Sequence, residues 1–264
     1  MCCGGKLVLI DSTAIVDSKA ELAEDVSVGP FSVIGPDVKI GSGTVIGSHV
    51  VIKGPTTIGK DNHIYQFTSI GEDPQDKKYA AEITRLEIGD RNTIREYTSM
   101  HRGTKQDRSL TKIGSDNLFM AYTHVAHDCI IGNHVIMANG ASLAGHVHLH
   151  SHAILGGFTL VHQFTQIGQY SFAAMGSAIT QDIPPFVMVG GKPTRPHGIN
   201  SVGMERNGIS PEDIRLIRKA YKIIYKNNLR LEDAIDQMED LAGESKELSD
   251  MVSFLRNVNR GILR

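Results

Sequence analysis

The feature that most constrains this chain is a period of six. Stepping by six from Ile10 meets Val16, Leu22, Val28, Ile34, Ile40, Ile46, Ile52, Ile58, Ile64 and Ile70. After a break the series resumes at Ile88, Ile94 and Met100. After a second break it runs from Ile113 through Phe119, Val125, Ile131, Met137, Leu143, Leu149, Leu155, Val161, Ile167 and Ala173 to Ile179. Glycine often comes next, as at Gly29, Gly41, Gly59 and Gly132. Four places after the aliphatic residue the side chain is usually small, as at Ser32, Thr44, Thr68, Thr123, Ala141 and Ser171. This period matches neither the 3.6 of a helix nor the 2 of a half-buried strand. It fits a parallel β-helix, in which each hexapeptide is a short strand plus a turn and three hexapeptides close one triangular coil.

Two charged segments interrupt the period, "EDPQDKKYAAEITRLE" over about 72–87 and "RGTKQDRSLTK" over about 102–112. Loops that break a rigid scaffold commonly carry function. After Ile179 the sequence turns rich in proline and glycine, "IPPFVMVGGKPTRPHG", which reads as a connector. Ser210 then reads as an N-cap with Pro211 in the first turn, and Ile214, Ile217, Tyr221 and Ile224 share one helical face. "LEDAIDQMEDLA" and "KELSDMVSFLRNV" read as two more helices. The expected domains are therefore residues 1–190, a β-helix with two inserted loops, and 191–264, a connector and small helical domain.

The 264 residues carry a formal net charge of -2, so no global basic field points to nucleic acid. No apolar run reaches the roughly 18 residues of a membrane span, and "MCCGGKLVLI" is too short in its apolar part for a secretory signal. The three cysteines, Cys2, Cys3 and Cys129, make no disulfide framework, which fits a reducing cytoplasm. Cys129 sits at a small inward position and reads as core. No nucleophile elbow, phosphate loop or C-x-x-C pair is present.

Histidines supply the chemistry instead. With a coil of three hexapeptides, His127, Gly145 and Gln163 form one column, rising by roughly 4.8 Å per coil. His146 lies one place to one side of it and His162 one place to the other. His124 is three places before His127. Correcting for the extra length of the second insertion puts His101 in the column of His162. Such an edge of imidazoles with no nucleophile points to direct transfer assisted by a general base. His134, His148, His150 and His152 read as solvated turn or strand residues.

The phrases "IYQFTSIGEDPQDKKY", "HRGT", "HVAHDCIIGN", "LAGHVH", "VHQF" and "GINSVGMERNG" give a more specific reading. They resemble the hexapeptide-repeat family of UDP-N-acetylglucosamine O-acyltransferases that begins lipid A synthesis, and the resemblance covers nearly the whole chain. It implies a left-handed β-helix and a homotrimer. It implies transfer of an (R)-3-hydroxyacyl chain from acyl carrier protein to the 3-hydroxyl of UDP-N-acetylglucosamine, with no metal or bound cofactor. It makes His127 the general base, Asp128 its supporting carboxylate and the Gly145 amide the oxyanion donor. It assigns substrate contacts to Gln75, Asp76, Lys78, His124, His146, His162, Gln163, Asn200 and Arg206, and coil counting adds His101. Val202 and Asn207 depart from the family's glutamate and second arginine. Met175 resembles the family's hydrocarbon ruler, where long-chain enzymes carry glycine. A methionine there implies medium-length chains, since each unburied CH₂ forgoes about 0.8 kcal/mol. Lys77, Lys78, Arg102, Lys105, Arg108, Lys112, Lys192 and Arg195 could form a basic rim for the acidic carrier.

Three other readings compete. An N-acyltransferase of the same pathway would carry a separate uridine-binding domain before the repeat, for which a repeat starting by Ile10 leaves no room. A trimeric metal-dependent hydratase would use three histidines on zinc. A non-catalytic scaffold leaves the histidine edge and "PQDKKY" without a purpose.

Overall fold

The computed structural model describes residues 10–243, 245–258 and 260–264. The start of the expected repeat domain before Ile10, Cys2 and Cys3 included, lies outside the described residues. The chain divides into two compact units, one ending at Cys129 and one beginning at Ile130.

The first unit is a parallel β-helix of very short strands laid into three sheets. Its register shows the coil length. Ile15 pairs with Val33, Val33 with Val51 and Val51 with Ser69, so each of these coils consumes three hexapeptides. Ser69 then pairs with Ser99, and Ser99 with His124. Those two steps are longer, and the excess in each is an insertion. The first leaves after the strand Ser69–Glu72 and rejoins at Arg85–Ile88, and the second lies between Ser99–His101 and Leu110–Ile113.

The residues of the six-step column fill the core. From Val28 to Ile113 each is at most 4% exposed. Only on the first described coil does the column open, with Ile10 at 43%. The small residues four places on are buried too, and their hydroxyls bond between coils. Ser32 Oγ donates to Gly47 O (2.8 Å) and accepts from Val50 N (3.0 Å). Buried amides take over this task in one column, where Asn62 Oδ1 accepts from both Asn92 N (2.9 Å) and Asn92 Nδ2 (3.0 Å). These bonds replace lost water contacts, which is what lets so thin a core contain polar groups.

The glycines of the repeat act by close approach. A Cβ on Gly41 would sit 2.8 Å from the carbonyl carbon of Gly59. Most left-handed turns fall instead on ordinary residues such as Asp37 (φ 58°), His49 (57°) and Asp61 (54°), with glycine at a few, as at Gly43 (72°). Each such non-glycine residue carries a cost of about 1–2 kcal/mol. The ladder of turn bonds offsets it, as where His49 N donates to Pro30 O at 3.0 Å and Asp61 N to Ser42 O at 2.9 Å.

The second unit continues the pattern. Ile130 pairs with His148 and His148 with Gln166, and Ser142 pairs with Leu160 and Leu160 with Ala178. Part of the connector forms a strand, Val187–Gly190, that pairs parallel with Phe172–Ala173 and antiparallel with Arg195–Ile199. Among the described residues four helices follow: α1 (Ser201–Arg206), α2 (Pro211–Lys226), α3 (Leu231–Ala242) and α4 (Lys246–Arg256). Ser210 caps α2 by accepting from Asp213 N, and Ile214, Ile217, Tyr221 and Ile224 are on its buried face, as the spacing predicts. The short α1 has no counterpart among the helices expected from the sequence. Among the described residues no helix is long and apolar enough to cross a membrane.

Candidate active site

In the first unit the sheet register brings four of the expected residues together. Pairing of Ser99 with His124 and Met100 with Val125 sets His101 opposite Ala126, next to the position of His127. The His101 and His124 rings meet edge to face with centroids 5.0 Å apart. Nδ1 of His124 is 2.8 Å from Ser99 Oγ. His101 is 4% exposed and its Nδ1 has no hydrogen-bond partner. Burial, helped by the neighbouring His124, pushes its pKa down to about 4. Burial lowers His124 as well, with His127 adding to the effect. Both rings are therefore neutral at pH 7.

His127 Nδ1 lies 2.8 Å from Asp128 Oδ2. Two adjacent residues can meet this way because Asp128 takes a left-handed turn, φ 60°. Asp128 is fully buried. Its Oδ1 accepts from Thr104 N (2.8 Å) and its Oδ2 from Thr104 Oγ1 (2.6 Å), while its own N–H donates to Thr111 Oγ1 at 2.8 Å. A carboxylate in that setting only accepts. The proton between it and the imidazole thus belongs to Nδ1, which leaves Nε2 as the basic nitrogen. Thr104 and Thr111 give no signal in the sequence because Asp128 lies far from both along the chain.

The 73–84 loop carries three more of the expected residues. Gln75 and Lys78 are exposed and Asp76 half-buried. The Asp76 carboxylate shapes the local turn by accepting from Lys78 N at 2.9 Å. Arg102, expected on a basic rim, is instead 6% exposed with its guanidinium turned inward. It donates to Gly71 O (2.6 Å) and Gly54 O (3.0 Å), and it pairs with Asp73. The reason is local: interior carbonyls and one carboxylate satisfy the charge better than the surface does once the loop folds over it.

In the second unit Gly145 is buried, and its carbonyl accepts from Phe164 N at 3.1 Å. His146 stacks on Phe164 with centroids 4.4 Å apart. His162 and Gln163 are exposed neighbours, and Gln163 O accepts from Arg260. Asn200 is the N-cap of α1, accepting from Gly203 N (3.0 Å) and donating to Tyr170 O (2.9 Å). These two bonds use one N–H and one lone pair of its amide. Arg206, in the last turn of α1, is exposed, as are Val202 and Asn207. Met175 is 77% exposed in a turn between the strands Phe172–Ala173 and Ala178–Ile179. Of the other histidines, His134 stacks on His152 and His152 on Tyr170.

Comparison with known proteins gives this geometry its setting. Residues 182–263 match the family model described as UDP-N-acetylglucosamine O-acyltransferase, domain 2. Residues 19–54 and 110–145 match the hexapeptide repeat of bacterial transferases. The chain is 55% identical to an acyl-[acyl-carrier-protein]–UDP-N-acetylglucosamine O-acyltransferase of Alkalilimnicola ehrlichii, over 97% of this chain and 99% of that one. It is 57% identical to the protein of the same name from Cupriavidus taiwanensis, over 97% and 99%. Among solved structures it resembles the UDP-N-acetylglucosamine O-acyltransferase of Moraxella catarrhalis, with TM-score 0.95 and 42% identity over 97% of this chain and 100% of that one. The UDP-N-acetylglucosamine acyltransferase of Francisella novicida gives TM-score 0.95 at 40% identity, over 97% and 94%. Identity at this level along nearly the full length, on the same coil of hexapeptides, makes the chain an acyltransferase and a member of the acyl-[acyl-carrier-protein]–UDP-N-acetylglucosamine O-acyltransferase family.

Proposed function

We propose that this enzyme transfers an (R)-3-hydroxyacyl chain from acyl carrier protein to the 3-hydroxyl of UDP-N-acetylglucosamine, the first step of lipid A synthesis, as a cytoplasmic homotrimer. The observation that carries the mechanism is the Asp128–His127 pair, whose geometry leaves Nε2 as the base. Nε2 takes the proton of the sugar hydroxyl as its oxygen attacks the thioester carbonyl. The tetrahedral oxyanion is received by the N–H of Gly145, one coil of three hexapeptides beyond His127 in the sequence count. Collapse breaks the carbon–sulfur bond, and the departing thiolate takes the proton back from Nε2.

His101 and His124, held neutral, offer hydrogen bonds without adding positive charge beside the base. Gln75, Asp76, Lys78, His146, His162, Gln163, Asn200 and Arg206 are substrate contacts in this reading. Acyl carrier protein docks on the remaining basic residues. No step calls for a metal or bound cofactor. Met175 ends the acyl groove, so medium-length chains are preferred.

The test is transfer from a series of (R)-3-hydroxyacyl carrier proteins of increasing chain length to UDP-N-acetylglucosamine, read by mass spectrometry. The expected result is acylated nucleotide sugar with an optimum at medium length that moves to longer chains in Met175→Gly. An optimum already at long chains would remove Met175 as the stop. No product at any length would remove the activity.

A further inference from the structure

Arg102 ties the two inserted loops together. It is the first residue after the strand Ser99–His101, where the second insertion begins. Its backbone N–H donates to Glu72 O at 3.1 Å and that of Gly103 to Arg85 O at 3.2 Å. Glu72 and Arg85 are the two strand ends from which the 73–84 loop springs. Two consecutive amides thus hold both feet of that loop. The guanidinium then holds its body. One nitrogen, Nη1, donates to Gly71 O and Gly54 O, and Nη2 reaches the Asp73 carboxylate and Tyr79 Oη (3.2 Å).

The loop closes the arrangement on itself. Tyr79 Oη lies 3.2 Å from both Asp73 Oδ1 and Glu82 O. The backbone leaves no slack at either side of the latch. A Cβ on Gly103 would collide with Leu110 N, and one on Gly71 with Lys53 O. Gln75, Asp76 and Lys78 lie inside the segment pinned at Asp73 and Tyr79, and two of them are exposed to solvent. A loop with those residues would lose conformational freedom on binding a ligand unless something had fixed its pose beforehand. A planar fork that satisfies acceptors on both sides is the group suited to fixing it.

We infer that Arg102 is a positioning residue for the nucleotide sugar: it pre-sets the 73–84 loop so that Gln75, Asp76 and Lys78 meet the sugar and diphosphate. This rests on the proposed reaction, in which those three residues contact UDP-N-acetylglucosamine. The latch acts on the affinity of one substrate. It leaves the His127 dyad, bonded separately through Thr104, in place.

Two variants test it from opposite ends. Arg102→Lys keeps the charge but cannot span the acceptors. The double variant Asp73→Ala, Tyr79→Phe leaves the buried carbonyl bonds of Arg102 intact and removes only the side-chain acceptors on the loop, so it folds even where the first does not. For each, rates are measured while UDP-N-acetylglucosamine and acyl carrier protein are varied separately, and amide hydrogen exchange is followed over 73–84. The expected result is a KM for the nucleotide sugar raised about tenfold, with kcat and the KM for acyl carrier protein within about twofold, the pattern of lost substrate binding. Exchange should quicken in 73–84 and stay unchanged in the flanking coils. Unchanged exchange in both variants would overturn the latch. Faster exchange with an unmoved nucleotide-sugar KM, or a loss confined to kcat, would overturn the positioning role. A wild-type enzyme without transfer activity would instead bring down the underlying reaction, while the exchange data would still show whether Arg102 holds the loop.

Discussion

Thr104 binds both oxygens of the Asp128 carboxylate, through its N–H at 2.8 Å and its hydroxyl at 2.6 Å. The second insertion thereby fixes the orientation of the group that orients His127. The carboxylate cannot rotate away from Nδ1 without giving up a buried, charge-assisted bond, and such bonds contribute about 1.5–3 kcal/mol each.

Removing one of these bonds should therefore reach the imidazole. In Thr104→Val the N–H bond stays and the hydroxyl bond goes. Steady-state kinetics should show kcat lowered by about tenfold or more, in line with one lost charge-assisted bond, with both KM values nearly unchanged. Thr104→Ser should restore most of the rate. A valine variant with wild-type kcat would mean that Asp128 holds its pose without the hydroxyl.

Acid should destabilise the fold through the buried imidazoles. His101 titrates at about 4 in the folded chain, mainly because burial disfavours its charged form. In the unfolded chain a histidine titrates near its ordinary value of about 6.5. Below that pH the unfolded state takes up a proton that the folded state refuses. The stabilisation is thus whole above about pH 6.5 and is lost as pH falls toward 4, up to about 3 kcal/mol for this one group. His124, lowered in the same direction, adds to it. Urea unfolding between about pH 7.5 and 4.5 should show this slope, and His101→Gln should flatten it. An equal slope in the variant would assign the acid sensitivity to other groups.

Metal removal separates the acyltransferase chemistry from the zinc hydratase that the histidine edge also suggests. Dialysis of the enzyme against a chelator should leave acyl transfer and thermal stability unchanged, because the proposed proton shuttle uses only Nε2 of His127. Loss of activity restored by added zinc would contradict that mechanism.

The repeat was legible because its signal is local and redundant. A break in the six-residue count marks each loop, and one buried side chain per hexapeptide marks the core, as Ile52 and Leu143 show at 0% exposure. The adjacency of His127 and Asp128 was equally plain. What the sequence concealed depends on where loops travel. Thr104 meets Asp128 only because the second insertion folds back over the coil. Arg102 read as a surface charge because nothing in "HRGT" reveals two interior carbonyls and the carboxylate of a loop that folds back to meet it. The helix α1 leaves little trace in the sequence because it is short, holds Gly203 and depends on the Asn200 side chain for its cap.

The proposed mechanism rests on His127 as the base. It is tested most directly by the rate of acyl transfer to UDP-N-acetylglucosamine in His127→Gln, with thermal unfolding run in parallel. The variant is expected to fold and its kcat to fall at least about a hundredfold, the usual contribution of a general base. A folded variant that keeps its rate within a few-fold of wild type would contradict it.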